Sequence, residues 1–378
     1  MQILRTALRF MRYDRTKSIG ILLGILVSTF LIGQQLGIFT FLTKLMSSFV
    51  TNSKADIWVI DKTTRDVNQV GKLDIRFLSE IKSIPGVAYA SPLVLGAGVA
   101  TTADGNSVNI QLVGSEPPLF LMGPDTDKIV EGQYADLLTD GAVSSDLFDD
   151  KGFGKKMEIG TPLEINGKEA HIVMRTRNVR GFGPAQMFTS TDRARFYGNI
   201  PSTTMHAVLV KVADPQQTQA VIDRINRTFP NLRAWSRDDL AKSSVREILG
   251  SSGIASSTGT LIVFALITGI LIIGLTMYSS VLDRIKDYGT MKAIGANFRY
   301  LTRLLLYQAL LFAVTGFVLA WILLEIFRLA VTSTGLVITY QWYEIAGIFI
   351  ITSTISVGGM FFALLRLKGV EPASVFRN

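Results

Sequence analysis

The chain carries two histidines, His171 and His206, and no cysteine. Thiolate nucleophiles, disulfides and Cys-ligated zinc or iron–sulfur sites are therefore excluded. Two imidazoles can in principle hold a metal or haem, but each lies in or beside a segment patterned as a strand, and both read as satisfied or surface residues. Neither GxSxG nor HExxH occurs. The string nearest a phosphate loop, Gly152-Phe153-Gly154-Lys155-Lys156, lacks the GxxxxGK spacing and the Ser or Thr that would hold magnesium. ATP binding through a Walker motif is not expected. The acid pairs Asp149-Asp150 and Asp238-Asp239 read as helix-end or surface charges, not as a hydrolytic dyad.

The elements that would position any site are dominated by apolar runs. Of 378 residues, 48% are hydrophobic and 18% charged, against about 25% charged in typical soluble domains. Four runs, 18–42, 254–280, 304–326 and 345–365, each reach about 20 residues, enough to cross ~30 Å of hydrocarbon as a helix. The net charge of +8 is not a nucleic-acid footprint, because it is topologically sorted. Residues 1–17, 281–303 and 366–378 hold thirteen lysines and arginines against four acids, whereas 43–253 holds 24 of each sign. The positive-inside rule then places both termini and the 281–303 loop in the cytoplasm and the neutral region outside. Glu325 is the sole acid near a span interior, close to the outer end of the third run, which disfavours an ion-coupled carrier.

The first run exceeds the 7–15 residues of a signal-peptide core, and no A-x-A-like cleavage site follows it, so a retained helix is expected. Before it, Ile3, Leu4, Ala7, Leu8 and Met11 fall near one helical face, with Arg5, Arg9, Arg12 and Arg15 on the other. That suits an amphipathic helix at the cytoplasmic interface, a solvated basic tail being the alternative.

Between residues 43 and 253 the periodicity shortens. A strand at 56–61, a helix at 73–84 and a strand at 87–94 form one unit; a strand at 207–212, a helix at 214–229 and a strand at 232–235 form a second. IKSIPGVAYAS and INRTFPNLRAWS both run from a helix end through a proline turn into a strand, suggesting two equivalent units packed together. Asn166-Gly167 between alternating residues signals a hairpin in an expected meander of strands. Residues 178–186 (NVRGFGPAQ) read as a loop, either a contact with substrate or partner or a plain connection. Ser236 with Asp239 caps a helix that, with no proline until Pro372, can continue into the second run. Gly250 to Thr260 is its weak point, a potential joint. In the first run, Gly20, Gly24, Gly33 and Gly37 have the small-xxx-small spacing that would permit close helix contact, as at a dimer seam.

The stretch VLDRIKDYGTMKAIGANFRYLTRLLLYQALL resembles the signature of the MacB, FtsX and LolC/LolE family of ABC transporter permeases. Lys286, Asp287, Tyr288 and Gly289 match the family's basic–acidic–hydrophobic–glycine run, departing from it at Asp287 for Glu and at Tyr288 for an aliphatic residue. Lys292, Ala293, Ile294, Gly295 and Ala296 match its basic residue and A-[IL]-G-A turn, and Pro85-Gly86-Val87 matches a turn of its middle domain. Length and the missing P-loop make the chain most similar to stand-alone, DevC-type members whose ATPase is a separate chain.

The resemblance implies four transmembrane helices with a large α+β extracytoplasmic domain, a MacB-like periplasmic core, inserted between helices 1 and 2. The expected layout is a cytoplasmic amphipathic helix 1–17, a first span 18–42, an outer domain 43–245 and a second span 246–280 with its outer extension. A cytoplasmic coupling segment 281–303, a span 304–326, an outer loop 327–344, a span 345–365 and a cytoplasmic tail 366–378 complete it. It further implies residence in a bacterial inner membrane and export of a hydrophobic or amphiphilic substrate by mechanotransmission, without catalysis by the chain itself. No cofactor would bind directly; ATP and magnesium would sit on the partner ATPase, present in two copies beside a second permease copy. A periplasmic adaptor and an outer-membrane channel are further implied partners. Tyr288, Met291 and Ile294 would supply the apolar face that docks on the ATPase, and Phe39, Phe41 and Met46 would face substrate or the dimer seam, unless they are interfacial anchors. Mechanical signalling to a cell-wall hydrolase, as in FtsX, and lipoprotein release, as in LolC/LolE, share every one of these motifs.

Overall fold

The computed structural model describes residues 15–332 and 336–368, with Thr6, Ala7, Arg9, Met11 and Tyr13 before them. Arg5 and Arg12, with Ile3, Leu4 and Leu8 of the face expected at 1–17, and the tail around Pro372, lie outside the described residues. The chain divides into two compact units: residues up to Phe41 with those from Gly253 onward, and Leu42–Ser252. The first long helix, α1 (Arg15–Thr51), has 37 residues without interruption. At 1.5 Å per residue it is roughly 55 Å long, well beyond a hydrocarbon core of about 30 Å.

The unit Leu42–Ser252 continues with β1 (Ile57–Asp61), β2 (Leu73–Asp74), α2 (Arg76–Lys82), β3 (Val87–Thr102), β4 (Ser107–Ser115), β5 (Ile129–Glu131) and β6 (Ala142–Asp146). Then come α3 (Asp150–Phe153), β7 (Pro162–Ile165), β8 (Lys168–Thr176), β9 (Ala185–Ser190), α4 (Thr191–Gly198) and β10 (Thr204–Met205). It closes with β11 (Ala207–Val212), α5 (Thr218–Thr228), β12 (Leu232–Ser236) and α6 (Arg237–Ser252).

The two strand–helix–strand units interleave in one antiparallel sheet, ordered β12–β1–β11–β3. Strand β1 explains the arrangement: Ile57, Trp58, Val59 and Ile60 are all buried. Because successive side chains point to opposite faces, Ile57 and Val59 join Ile81 of α2 and Val221 and Ile225 of α5. Trp58 and Ile60 instead join Phe49 of α1 and Leu240 of α6. Burial of each large apolar side chain contributes about 1.5–3 kcal/mol, more than the ~1 kcal/mol span of strand propensity, so packing on both faces holds β1 central. The Pro85-Gly86 turn admits no side chain. Gly86 has φ +97°, and a Cβ there would approach Val221 Cγ2 to 2.7 Å.

Strand β3 outruns this sheet: its residues from Val94 to Thr101 pair with β4, and Ala100 to Thr102 with β7. The expected meander does not form. Strand β4 pairs in parallel with β9, and β6 in parallel with β8. Parallel partners cannot be joined by a tight turn, so the intervening chain crosses over between strands distant in sequence. Asn166-Gly167 does close the β7–β8 hairpin, with Ile165 opposite Lys168 and both turn residues at positive φ, 50° and 77°. The loop read at 178–186 gives its last two residues to β9.

In the other unit, α7 (Ile254–Asp283), the short α8 (Ile285–Ala293), α9 (Phe298–Thr332) and α10 (Trp342–Lys368) follow. With α1, the three long ones make four helices among the described residues that are long and apolar enough to cross a membrane. The glycines expected at a dimer seam serve contacts inside the chain instead. A Cβ at Gly24 would come within 2.7 Å of Ile272 on α7, one at Gly33 within 2.5 Å of Leu324 on α9, and one at Gly37 within 2.8 Å of Ile338. Without side chains there, α1 approaches its own neighbours closely. Glu325 is held by Arg328 one turn on, at 2.8 Å. The uninterrupted helix expected from residue 237 into the second run is broken at one residue: α6 ends at Ser252, Gly253 takes φ +68°, and α7 starts at Ile254.

Candidate functional site

The segment 284–296 is built from a helix and a stop. Tyr288, only 2% exposed, is packed in the core that includes Met277, Val281 and Leu305, and its phenol is hydrogen-bonded to Gln308 of α9. Burial pushes this phenol up to about 12, so it stays neutral at physiological pH. Gly289 is buried beside it, and Met291 is half-buried against the same core. Lys292 donates from Nζ to the carbonyl of Leu367 on α10, 3.3 Å away. The segment's start is held as well: Lys17 pairs with Asp283, and the Arg284 guanidinium lies 4.9 Å from the Tyr13 ring centre.

The stop is a Schellman motif. Gly295 has φ +101°, its N–H donates to the Lys292 carbonyl at 3.1 Å, and the Ala296 N–H donates to the Met291 carbonyl at 2.9 Å. A glycine is needed at that φ, which is the physical content of the Ala293-Ile294-Gly295-Ala296 string. The sharp end leaves Ile294 81% exposed. Lys286, Asp287 and Thr290 are exposed along the same helix, while Ala296 packs partly against the core.

The apolar face expected from Tyr288, Met291 and Ile294 is therefore not a free face. Positions i, i+3 and i+6 drift around a helix of 3.6 residues per turn, so Tyr288 turns into the bundle while Ile294 turns out. Gln308, which holds Tyr288, is a partner the sequence did not mark; a polar residue inside the third apolar run is its signal.

The three residues proposed near substrate separate as well. Phe39 and Phe41 are half-buried on α1. Met46 is fully buried, and its carbonyl accepts from Asn68 Nδ2 at 3.1 Å, so its side chain is unavailable to a substrate or a second copy. His206 is buried with its Nδ1 accepting the Leu95 N–H at 3.1 Å. Burial, with Lys72 and Arg195 nearby, depresses it to about 4. Among the described residues no group of three or more His, Asp or Glu side chains could hold a metal ion.

The buried ionic cluster under the 178–186 loop was also illegible. Arg175 is fully buried and reaches both carboxylate oxygens of Asp150 at 2.7–2.8 Å. Asp146 accepts from the Phe148 and Val179 N–H groups and the Thr176 hydroxyl. Asp149, 8% exposed beside them, is the N-cap residue of α3, so it is a helix-end residue as expected, but buried and not at the surface.

Residues 18–228 match the MacB-like periplasmic core domain family, and residues 259–372 match the FtsX-like permease C-terminal family. An uncharacterised ABC transporter permease of Mycobacterium tuberculosis is 27% identical over 305 residues, covering 79% of this chain and 77% of that one. Another, from Mycobacterium bovis, is 26% identical over 261 residues, covering 67% and 66%. Among solved structures, the periplasmic region of MacB from Actinobacillus actinomycetemcomitans matches with TM-score 0.39 and 10% identity over 51% of this chain and 94% of that one. The extracellular domain of the noncanonic ABC-type transporter YknZ from Gram-positive bacteria matches with TM-score 0.36 and 12% identity, over 48% and 99%. The chain belongs to the FtsX- and MacB-like family of ABC transporter permeases, membrane proteins with a MacB-like periplasmic core domain between the first two membrane helices.

Proposed function

We propose that the chain is the permease of an exporter in which a separate ATPase hydrolyses ATP and the movement passes mechanically to the outer domain, expelling a hydrophobic or amphiphilic substrate. The observation that carries this reading is the construction of segment 284–296. Tyr288 and Lys292 fasten it to α9 and α10, while the glycine stop presents Ile294 outward. A push on Ile294 is then delivered to the bundle, because the anchoring contacts leave the short helix little freedom of its own. In this reading two ATPase copies, carrying ATP and magnesium, meet two permease copies in the bacterial inner membrane. The basic segments lie in the cytoplasm, and an adaptor and outer-membrane channel complete the route. The chain itself performs no chemistry.

The test is purification of the tagged full-length chain from native membranes, with identification of the proteins that accompany it. An ATPase together with a periplasmic adaptor is expected. An ATPase accompanied by a cell-wall hydrolase overturns export in favour of mechanical signalling, and absence of any ATPase overturns both.

A further inference from the structure

Helix α6 borders two depressions of opposite character, both inside the unit Leu42–Ser252. On one flank, a pocket of about 350 Å³ is lined by Arg233, Trp235, Lys242 and Arg246. On the other, a trough of about 450 Å³ is lined by Val245, Leu249 and Ala241, with Ser47 of α1 opposite. Lys242 and Arg246 line both.

The polar pocket is electrostatically incomplete. Among the described residues, Arg233, Lys242 and Arg246 form no ion pair. The two acids in its wall are engaged locally: Asp239 accepts from the Ser236 hydroxyl at 2.7 Å, and Asp223 from Gln219 Nε2 at 2.9 Å. The Arg233 guanidinium is held over the Trp235 ring, 3.9 Å from its centre, which orients its donors. The Trp235 Nε1–H is buried and has no acceptor among the described residues. Three cations against two carboxylates leave the pocket net positive, which suits an oxygen-rich anion. The trough adds what an anion alone does not use. Val245 and Leu249 stand four residues apart on α6 and remain half-exposed.

We infer that this groove binds an anionic amphiphile, its phosphate-type head against Arg233, Lys242 and Arg246, and its hydrocarbon along Val245 and Leu249. The two cations at the junction favour one molecule with both parts over a free phosphate or an uncharged hydrocarbon. The inference deepens the export reading, on which it rests, by naming the substrate class.

The experiment titrates the full-length chain, purified in an uncharged detergent, with dihexanoyl phosphatidic acid, read by tryptophan fluorescence and native mass spectrometry. Inorganic phosphate and dihexanoyl phosphatidylcholine form parallel arms. Phosphatidic acid should bind about tenfold or more tightly than either, and Lys242→Glu, Arg246→Glu and Val245→Asp should each weaken it about tenfold or more. Arg246→Lys should retain binding, which separates loss of charge from loss of fold. Phosphate binding as tightly as phosphatidic acid, with Val245→Asp silent, overturns the amphiphile assignment. Phosphatidylcholine binding equally, with Lys242→Glu silent, overturns the anion assignment. If selective binding holds but occupancy leaves a co-purified ATPase's rate unchanged, the site stands and the export reading alone falls.

Discussion

The hydroxyls of Thr29 and Thr352 lie 3.0 Å apart in the buried interior of the membrane unit, 323 residues apart in sequence. Thr352 Oγ1 also donates to the Ile348 carbonyl at 2.8 Å, so the shared proton comes from Thr29. The bond ties α1 to α10. A double-mutant cycle with Thr29→Val and Thr352→Val should give a coupling of about 0.5–1.5 kcal/mol, typical of interhelical hydrogen bonds in membranes. Strict additivity of the two thermal shifts would show that the bond contributes nothing.

Close packing of α1 against α9 depends on Gly316, where any Cβ would collide with Ile25. Gly316→Val should destabilise the bundle by about 1–3 kcal/mol through overpacking. Gly347 is the control, because an added methyl group there would meet nothing within 4 Å. Gly347→Ala should leave the melting temperature in detergent unchanged, and equal melting of both variants would refute this contact.

Burial, with the like charge of Asp146 adding, pushes the Asp149 carboxyl up to about 7, while Arg180 pulls the other way. An unfolded aspartate titrates near ~3.9, so between about pH 4 and 7 the folded chain binds the extra proton. Stability should therefore fall as pH rises through that window and level off above it. Asp149→Asn should remove this component. The wild-type-minus-variant melting temperature measured from pH 5 to 8 checks it, and a difference independent of pH would sink the assignment.

His206 works in the opposite sense. Its folded-state value is depressed to about 4 by burial, with Lys72 and Arg195 adding, and the neutral ring accepts the Leu95 N–H. As pH falls from about 6.5 toward 4, the unfolded state gains a proton that the folded state refuses, and stability is lost. His206→Gln should be less stable at neutral pH yet less acid-sensitive. Parallel melting curves against pH for variant and wild type would contradict this.

Segment 284–296 should separate into two kinds of position. Ile294→Asp changes only an exposed side chain and should leave insertion and melting intact, while lowering stimulation of the partner ATPase about tenfold or more. Gly295→Val forces a β-branched residue to φ +101° and should lose the same coupling through the misdirected stop. Tyr288→Phe removes a buried hydrogen bond and should cost about 1 kcal/mol of stability. Reconstituted ATPase rates measured beside melting temperatures decide this; full stimulation in Ile294→Asp would remove Ile294 from the interface.

Local, periodic signals were legible without any structure. The four apolar runs register as helices because hydropathy is a property of consecutive residues. The strand–helix–strand units were readable for the same reason, since turn residues such as Pro85-Gly86 and Asn166-Gly167 act within a few positions. Gly295 stood out in the sequence only as part of the family's A-[IL]-G-A string, and the structure shows that it stops the helix at positive φ. Tertiary structure alone decided which neighbour covers each side chain. Tyr288 faces Gln308 instead of solvent, Met46 is sealed from any partner, and Gly24 and Gly33 receive Ile272 and Leu324 of the same chain. It also brought Arg233 and Trp235 beside Lys242 and Arg246, and ran β4 parallel to β9. These outcomes depend on contacts between residues from seven to hundreds of positions apart. Shape and burial select such contacts among many arrangements with the same periodicity, and no local pattern encodes that selection.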